Sequence, residues 1–352
     1  MHPLSCVTDY TKLLPTPFER DPAFHREEAV KVAVVGFGKM GVLHATIVNL
    51  MREDSVKHVV DTNRLIRLGG ALLLKKVKFW GKLKDLLSRE EVDAFYVTTP
   101  TPSHFPVAKE ILEAGAKGIF IEKPPTANAY QAAELADLAK RAVDMVGLTR
   151  RYSLTFRHAK ELLTNLLAKH PVTEVRAYVK YGSAAPPAGK LGKIGRGVLL
   201  DMGVYLIDLL HWYFGDLHAV KASYKSVYGK ADDVFRAELE TDMGFPVFIE
   251  ADWTDPSCRL PEAKIEVVGE GLALEVSDDS LILKREGKTL NLYKPHYYSS
   301  FPPVNLAYPE YVIENMHFLT CLKRGCKPET SLAGAVRVMQ TIDELYEIAC
   351  PE

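Results

Sequence analysis

The chain has 352 residues, enough for two domains with sizeable cores, and its 47% apolar and 25% charged residues are those of an ordinary folded globular protein. A formal net charge of −1 gives no reason to expect nucleic acid or an anionic membrane surface as a partner, and no apolar run is long enough to span a bilayer. The five cysteines, Cys6, Cys258, Cys321, Cys326 and Cys350, are odd in number, scattered and without zinc-ligand spacing. They predict buried thiols in a reducing, cytoplasmic setting and no metal site.

Residues 1–28 carry Pro3, Pro15, Pro17 and Pro22 and no clear period, which predicts an extended arm outside the core. The apolar, mostly β-branched run Val32 to Val35 predicts a strand buried on both faces. It enters Gly36-Phe37-Gly38-Lys39-Met40-Gly41, and a helical pattern follows at Val42, Ala45, Thr46, Val48 and Asn49. A strand, a G-x-G-x-x-G turn and a helix make a dinucleotide site: Gly36 permits the turn, Gly38 admits a pyrophosphate, and Gly41 lets helix and strand close up. The helix N-terminus then offers free N–H groups to the phosphates. A second strand, Val56 to Val60, ends in Asp61, twenty positions beyond Gly41, where an acid accepts hydrogen bonds from the adenosine ribose. The competing reading is a plain glycine turn with Asp61 as a strand-end cap.

Further along, Arg64 to Leu74 reads as helix, Val77 to Trp80 as a short strand, Leu83 to Leu87 as a helical turn and Val92 to Val97 as a buried strand. That strand runs into Thr98-Thr99-Pro100-Thr101-Pro102-Ser103-His104, with Ser103 expected to cap a helix from about Phe105 to Ala114. Gly118 to Ile121, a helix from about Ala129 to Arg141 and a strand near Met145 to Leu148 complete an alternation that implies a parallel, doubly wound α/β sheet over residues 29–149. From Arg150 the pattern changes. Helices at Ser153 to Leu167 and from Gly197 through Phe214 accompany strands at Thr173 to Tyr181 and six more between Val220 and Arg285. Their spacing suggests a largely antiparallel sheet in an α+β domain, residues 150–352, closed by helices at about Pro309 to Lys323 and Ser331 to Ile348.

Two stretches carry candidate chemistry. Glu122-Lys123-Pro124 ends a parallel strand, where α/β sheets place ligands, and a lysine beside a nicotinamide can relay the proton of a substrate hydroxyl. The bland alternative is a surface lysine paired with Glu122. In Leu200 to Asp208, the polar residues Asp201, Tyr205 and Asp208 stand at i, i+4 and i+7, one face of an otherwise apolar helix. They read as a proton-handling acid and phenol, or as a solvent-facing stripe.

These motifs in this order resemble the glucose–fructose oxidoreductase/inositol dehydrogenase (Gfo/Idh/MocA) family: G-F-G-K-M-G at 36–41, Asp61, T-P-T-P-S-H at 99–104, E-K-P at 122–124 and D-M-G-V-Y-L-I-D at 201–208. The resemblance implies a Rossmann domain, an α+β domain whose open sheet mediates homo-oligomers, and a lysine and an acid at the reacting centre. These map onto Lys123 and Asp201; Tyr205 stands where the family's motif has a histidine, as in some of its sugar oxidoreductases. The resulting expectation is an NAD-dependent oxidoreductase, with NADP left open, acting on a secondary hydroxyl of a sugar, polyol or sugar derivative. Lys123 and Tyr205 would share the proton and Asp201 would orient them. Cofactor contacts are expected from Gly36, Phe37, Gly38, Lys39, Met40, Asp61, Thr99, Pro100, His104, Glu122 and Lys123, and substrate contacts from Lys123, Arg151, Asp201 and Tyr205. Arg150 shares the domain junction with Arg151, and Lys190, Lys193 and Arg196 form a one-signed loop before the helix that suits an anionic substrate group. The alternatives are an NAD-dependent redox-assisted glycosidase and a non-catalytic dinucleotide-sensing regulator.

Overall fold

Covering a sheet on both faces demands strands that are apolar throughout, and the first half of the chain supplies them. The computed structural model describes residues 29–51, 55–167, 170–182, 196–229, 231–258, 260–293 and 309–352. The proposed arm, 1–28, lies outside the described residues, as do Lys190 and Lys193. In chain order the first region contains β1 (Lys31–Val35), α1 (Lys39–Leu50), β2 (Ser55–Val60), α2 (Arg64–Leu73), β3 (Lys78–Trp80), α3 (Leu83–Leu87) and β4 (Ala94–Val97). It continues with α4 (His104–Glu113), β5 (Gly118–Glu122), α5 (Ala129–Leu138) and β6 (Val143–Gly147). The six strands are parallel in the order β3-β2-β1-β4-β5-β6. The order reverses at β1 and β4, so the crevice for a ligand opens beyond their carboxyl ends.

The second region begins with α6 (Leu154–Leu166) and β7 (Val172–Lys180). A wide π turn at Leu199–Gly203 leads into α7 (Val204–Phe214). Then follow β8 (Leu217–Lys225), β9 (Val234–Thr241), β10 (Pro246–Asp252), β11 (Glu262–Gly269), β12 (Leu272–Ser277), β13 (Ser280–Arg285) and β14 (Lys288–Tyr293). Last come α8 (Pro309–Arg324), α9 (Leu332–Ile348) and the two-residue β15 (Cys350–Pro351). These nine strands form one mixed sheet, β14-β13-β12-β11-β7-β10-β9-β8-β15, antiparallel except where β7 meets β10 and β8 meets β15. Helices α6 and α7 cover one face, while α8 packs against α1 and β6, and α9 against α5, so the last two helices return to the first region.

Local expectations fail where partners override them. Ser103 makes no capping bond, because a 3₁₀ turn at Thr101–Ser103 runs straight into α4; Asn63 and Asn128 cap α2 and α5 instead. On α1 the buried residues are Gly41, His44, Ala45, Ile47 and Val48, while Val42 is exposed. The helix is thus rolled toward His44, which has buried partners of its own. Strand β14 was not anticipated; it pairs with β13 but buries little. Of the four described cysteines only Cys321 is buried, which corrects the expectation of buried thiols. Cys326 lies just beyond the end of α8, Cys350 is on the edge strand β15, and both are exposed.

Candidate active site

The turn after β1 is built by close approach. Gly36 adopts φ +91°, donates its N–H to Val60 O at 2.8 Å, and sits so close to Thr99 that a Cβ would lie 2.8 Å from Thr99 N. A Cβ on Gly41 would fall 2.1 Å from Gly36 O, so only glycine lets α1 start there. Gly38 faces open space, with nothing within 4 Å of where its Cβ would stand. It is also the N-cap of α1, with no side-chain cap and no acid in the first turn. The N–H groups of Lys39 and Met40 belong to that uncapped first turn, which leaves the donors and the room that a diphosphate requires.

Asp61 lies at the lip of this turn. Its Oδ2 accepts the Phe37 N–H at 2.8 Å and its Oδ1 accepts the Asn63 N–H at 2.7 Å, which fixes the carboxylate with lone pairs to spare for ribose hydroxyls. Arg67, not anticipated, folds under the same loop and donates from Nη1 to Asp61 O and Thr62 O, both at 2.8 Å; Arg64 is exposed. Across the crevice, Thr98 Oγ1 donates to Gly36 O at 2.6 Å, while Thr99 Oγ1 is buried without a partner and Pro100 is exposed. His104 is buried, with Nε2 2.6 Å from Thr99 O and Nδ1 2.8 Å from Pro124 O. Burial holds its pKa below the usual value although both carbonyls favour the proton. It staples the Thr99 and Pro124 loops together. The open space at Gly38, the uncapped helix start, the fixed carboxylate and the orphaned Thr99 hydroxyl all fit a dinucleotide.

Lys123 follows directly on β5, and its peptide bond to Pro124 is cis. Its Nζ donates to Asp201 O at 2.7 Å and to Asp201 Oδ1 at 2.8 Å. The partner is therefore an acid of the second region, not Glu122. The π turn at Leu199–Gly203 presents both the carbonyl and the carboxylate of Asp201 to the lysine. Glu122 points the other way: Oε1 is 2.8 Å from His44 Nε2, and Oε2 accepts the Lys123 N–H at 3.0 Å. His44 is fully buried and its Nδ1 lies 3.1 Å from Asn315 Oδ1, so α1, β5 and α8 are joined through one ring. No signal in the chain set His44 apart, since Thr46 and Asn49 on the same helix are polar as well.

Tyr205 lies beneath two cations. Lys123 Nζ is 5.1 Å and Arg150 Cζ 4.6 Å from the centre of its ring. Lysine thus meets the ring face rather than the phenol oxygen. Burial pushes the Tyr205 phenol well above its ordinary pKa; Glu122 adds to the rise and Arg150 opposes it. Burial thus favours the neutral phenol over the phenolate, which weighs against Tyr205 as the base and toward Lys123. Behind it, on α8, burial likewise raises Tyr311, with Tyr205 and Glu122 adding to the rise. Glu314 is fully buried and accepts the Thr149 Oγ1–H at 3.1 Å; burial, then Glu122, hold it well above the usual carboxylate range.

The two arginines at the junction part company. Arg150 binds Asp278 through Nε and Nη2, both at 2.9 Å, and stays over Tyr205. Arg151, the expected substrate contact, is committed to the buried Asp208 through Nε at 2.8 Å and Nη2 at 2.6 Å, with its guanidinium 5.5 Å from the Trp212 ring centre. Burial pushes Asp208 up and Arg151 opposes it. Of the stripe 201, 205 and 208, each member thus engages a cation, and the solvent-facing alternative is excluded. Arg196 is held by Asp343 at 2.6 Å and stacks on Tyr346, so it is fastened to α9. Among the described residues, no group of three or more His, Cys, Asp or Glu side chains could hold a metal ion.

Residues 30–149 match the family model described as an oxidoreductase family with an NAD-binding Rossmann fold, and residues 166–275 match the GFO/IDH/MocA C-terminal domain. The chain is 30% identical, over 60% of its own length, to an uncharacterized oxidoreductase, YhhX, of Escherichia coli K12, and spans 61% of that relative. It is 24% identical to the scyllo-inositol 2-dehydrogenase (NAD(+)) of Bacillus subtilis over 86% of this chain and 89% of the relative. Among solved structures, levoglucosan dehydrogenase in complex with NADH superposes with a TM-score of 0.80 at 18% identity, over 91% of this chain and 96% of that one.

Proposed function

Because the chain belongs to the GFO/IDH/MocA oxidoreductase family and carries an NAD-binding Rossmann domain, we propose that it transfers hydride between NAD and a secondary hydroxyl of a sugar, polyol or sugar derivative. The observation that supports this reading best is Lys123, whose Nζ stands at the carboxyl end of β5 clamped to Asp201. When bound, the nicotinamide supplies the hydride acceptor or donor. The protein's part is to bind, orient and move a proton. The α1 N-terminus and Asp61 take the diphosphate and the ribose. Lys123 takes the hydroxyl proton, Asp201 fixes where Nζ points, and Glu122 with His44 fixes the backbone of Lys123 from behind. Tyr205 serves as a neutral platform and hydrogen-bond donor. On the second-region side the substrate contact falls to Arg150, whose Nη1 edge is not used by Asp278, rather than to Arg151.

The test is to follow cofactor reduction over a panel of inositols, aldoses and sugar acids with NAD and with NADP. Turnover with NAD on a polyol or sugar is expected; a protein that binds NAD but reduces none with any member would overturn the reading. A carboxylate at Asp61 disfavours a 2′-phosphate, so NAD is expected to bind more tightly than NADP. A charge-assisted hydrogen bond is worth about 1.5–3 kcal/mol, so Asp61→Ala should weaken NAD binding roughly ten- to a hundred-fold by calorimetry. Tighter binding of NADP by the unmodified protein would reassign the acid and bring Arg67 forward as a phosphate ligand.

A further inference from the structure

We propose that Cys321 and Cys326 form a reversible dithiol–disulfide couple, in which Cys326 meets an external disulfide and Cys321 closes the ring. The two sulfurs touch, with Sγ atoms 2.6 Å apart, where the chain turns back at the end of α8. The turn itself is closed by the backbone, Cys326 N–H donating to Cys321 O at 3.0 Å, so no rearrangement is needed to bring the thiols together. Their surroundings are unequal. Cys326 is exposed and Cys321 is buried. Burial first, then the neighbouring thiol, hold Cys321 above the usual thiol range, so it does not open the reaction. One helical turn back, His317 Nε2 lies 3.8 Å from Cys321 Sγ. The same nitrogen accepts the Glu329 N–H at 3.1 Å, so it carries the lone pair. His317 also packs on Tyr152, with ring centres 5.6 Å apart, which places the couple one ring behind the Arg150–Arg151 corner.

With oxidised glutathione as oxidant, the Cys326 thiolate attacks one sulfur of the reagent. The reagent's S–S bond breaks, one glutathione thiolate leaves, and a mixed disulfide remains on Cys326. Cys321 then loses its proton to water and attacks the Cys326 sulfur. The second glutathione departs as thiolate and takes up that proton. The protein loses two hydrogens, and one glutathione disulfide becomes two glutathiones.

The experiment uses the full chain, reduced and then equilibrated in graded mixtures of glutathione and its disulfide, with free thiols trapped by iodoacetamide before tryptic mass spectrometry. Lys323 and Arg324 lie between the two cysteines, so trypsin separates them and the couple appears as a cross-linked peptide pair. Cys350, also exposed, is the internal control and should show only a glutathione adduct. In Cys326→Ser, Cys321 should stay reduced; in Cys321→Ser, the adduct on Cys326 should accumulate several-fold over the unmodified protein. The proposal is overturned if the unmodified protein carries a stable adduct on Cys326 as abundant as that on Cys350, without cross-link. It is equally overturned if Cys321 oxidises freely in Cys326→Ser. Cys326 is exposed, so that variant and the unmodified chain decide the matter even if Cys321→Ser folds poorly.

Discussion

The two sheets bury themselves differently, and that difference decides where chemistry is placed. In the first, β4 and β5 are buried at every residue, because helices cover both faces. In the second, β11 and β12 alternate buried residues with partly buried or exposed ones, because only one face is covered. A doubly covered strand has no accessible face, so its functional groups lie at its end: Asp61 just after β2, Glu122 and Lys123 at the end of β5. A singly covered sheet leaves its functional groups on the covering helix and the π turn that enters it, where Asp201, Tyr205 and Asp208 meet cations of the junction. The first arrangement is local in sequence; the second exists only because Lys123, Arg150 and Arg151 come to meet it.

Substitutions at that meeting line test the contrast, starting with the largest effect. Lys123→Ala should lower kcat by about 10²–10⁴, the usual range for a general acid–base group, with NAD affinity nearly intact. A kcat within a factor of a few of the unmodified enzyme would remove the strand-end lysine from the proton path. Asp208→Ala should destabilise the fold by about 2–4 kcal/mol in urea unfolding, since it leaves the partly buried Arg151 without its carboxylate. A loss under about 1 kcal/mol would mean that the helix is not pinned to the junction by this pair.

His211, one turn beyond Asp208, sharpens the comparison through pH. Its Nδ1 meets Gly215 O at 3.0 Å and its Nε2 meets Thr341 Oγ1 at 2.9 Å. Burial pushes its pKa down to about 4, with the Gly215 carbonyl opposing. The unfolded chain, with a histidine near 6.5, takes up the proton first as pH falls. This contribution is therefore fully present above about pH 6.5 and is lost as pH drops through about 4, by about 2–4 kcal/mol in all. His211→Gln should flatten that part of the stability–pH curve relative to the unmodified protein. Two parallel curves would show the ring to be solvated.

The smallest effect is expected from Tyr205→Phe, which keeps the ring beneath both cations. Stability should change by no more than about 0.5 kcal/mol, and turnover should fall about tenfold, the worth of one hydrogen bond. Unchanged turnover would leave Tyr205 a platform only.

Much of the first region was legible because its signals are short-range. Gly36, Gly38, Gly41 and Asp61 stand where one strand–turn–helix–strand unit puts them, and apolar runs mark strands covered on both faces. The reading weakened where a choice depended on a distant neighbour. Ser103 looked like a cap, yet the 3₁₀ turn before α4 made it unnecessary. Arg151 and Arg150 are adjacent in sequence and indistinguishable there; Asp208 claims one and Asp278 the other. His44, Asn315 and Glu314 were passed over because nothing near them in sequence marks them.

By itself, then, the amino-acid order determined the alternation of strands and helices, the dinucleotide turn, and the residue types at 61, 123, 201 and 205, since periodicity and glycine geometry act within a few residues. Only the tertiary structure decided that Lys123 is held by Asp201 rather than Glu122, that burial raises the Tyr205 phenol, and that the Cys321 and Cys326 thiols meet with only Cys321 buried. Charge pairing and burial are sums over everything nearby in space, and the acids that hold Lys123, Arg150 and Arg151 each lie more than fifty residues away along the chain.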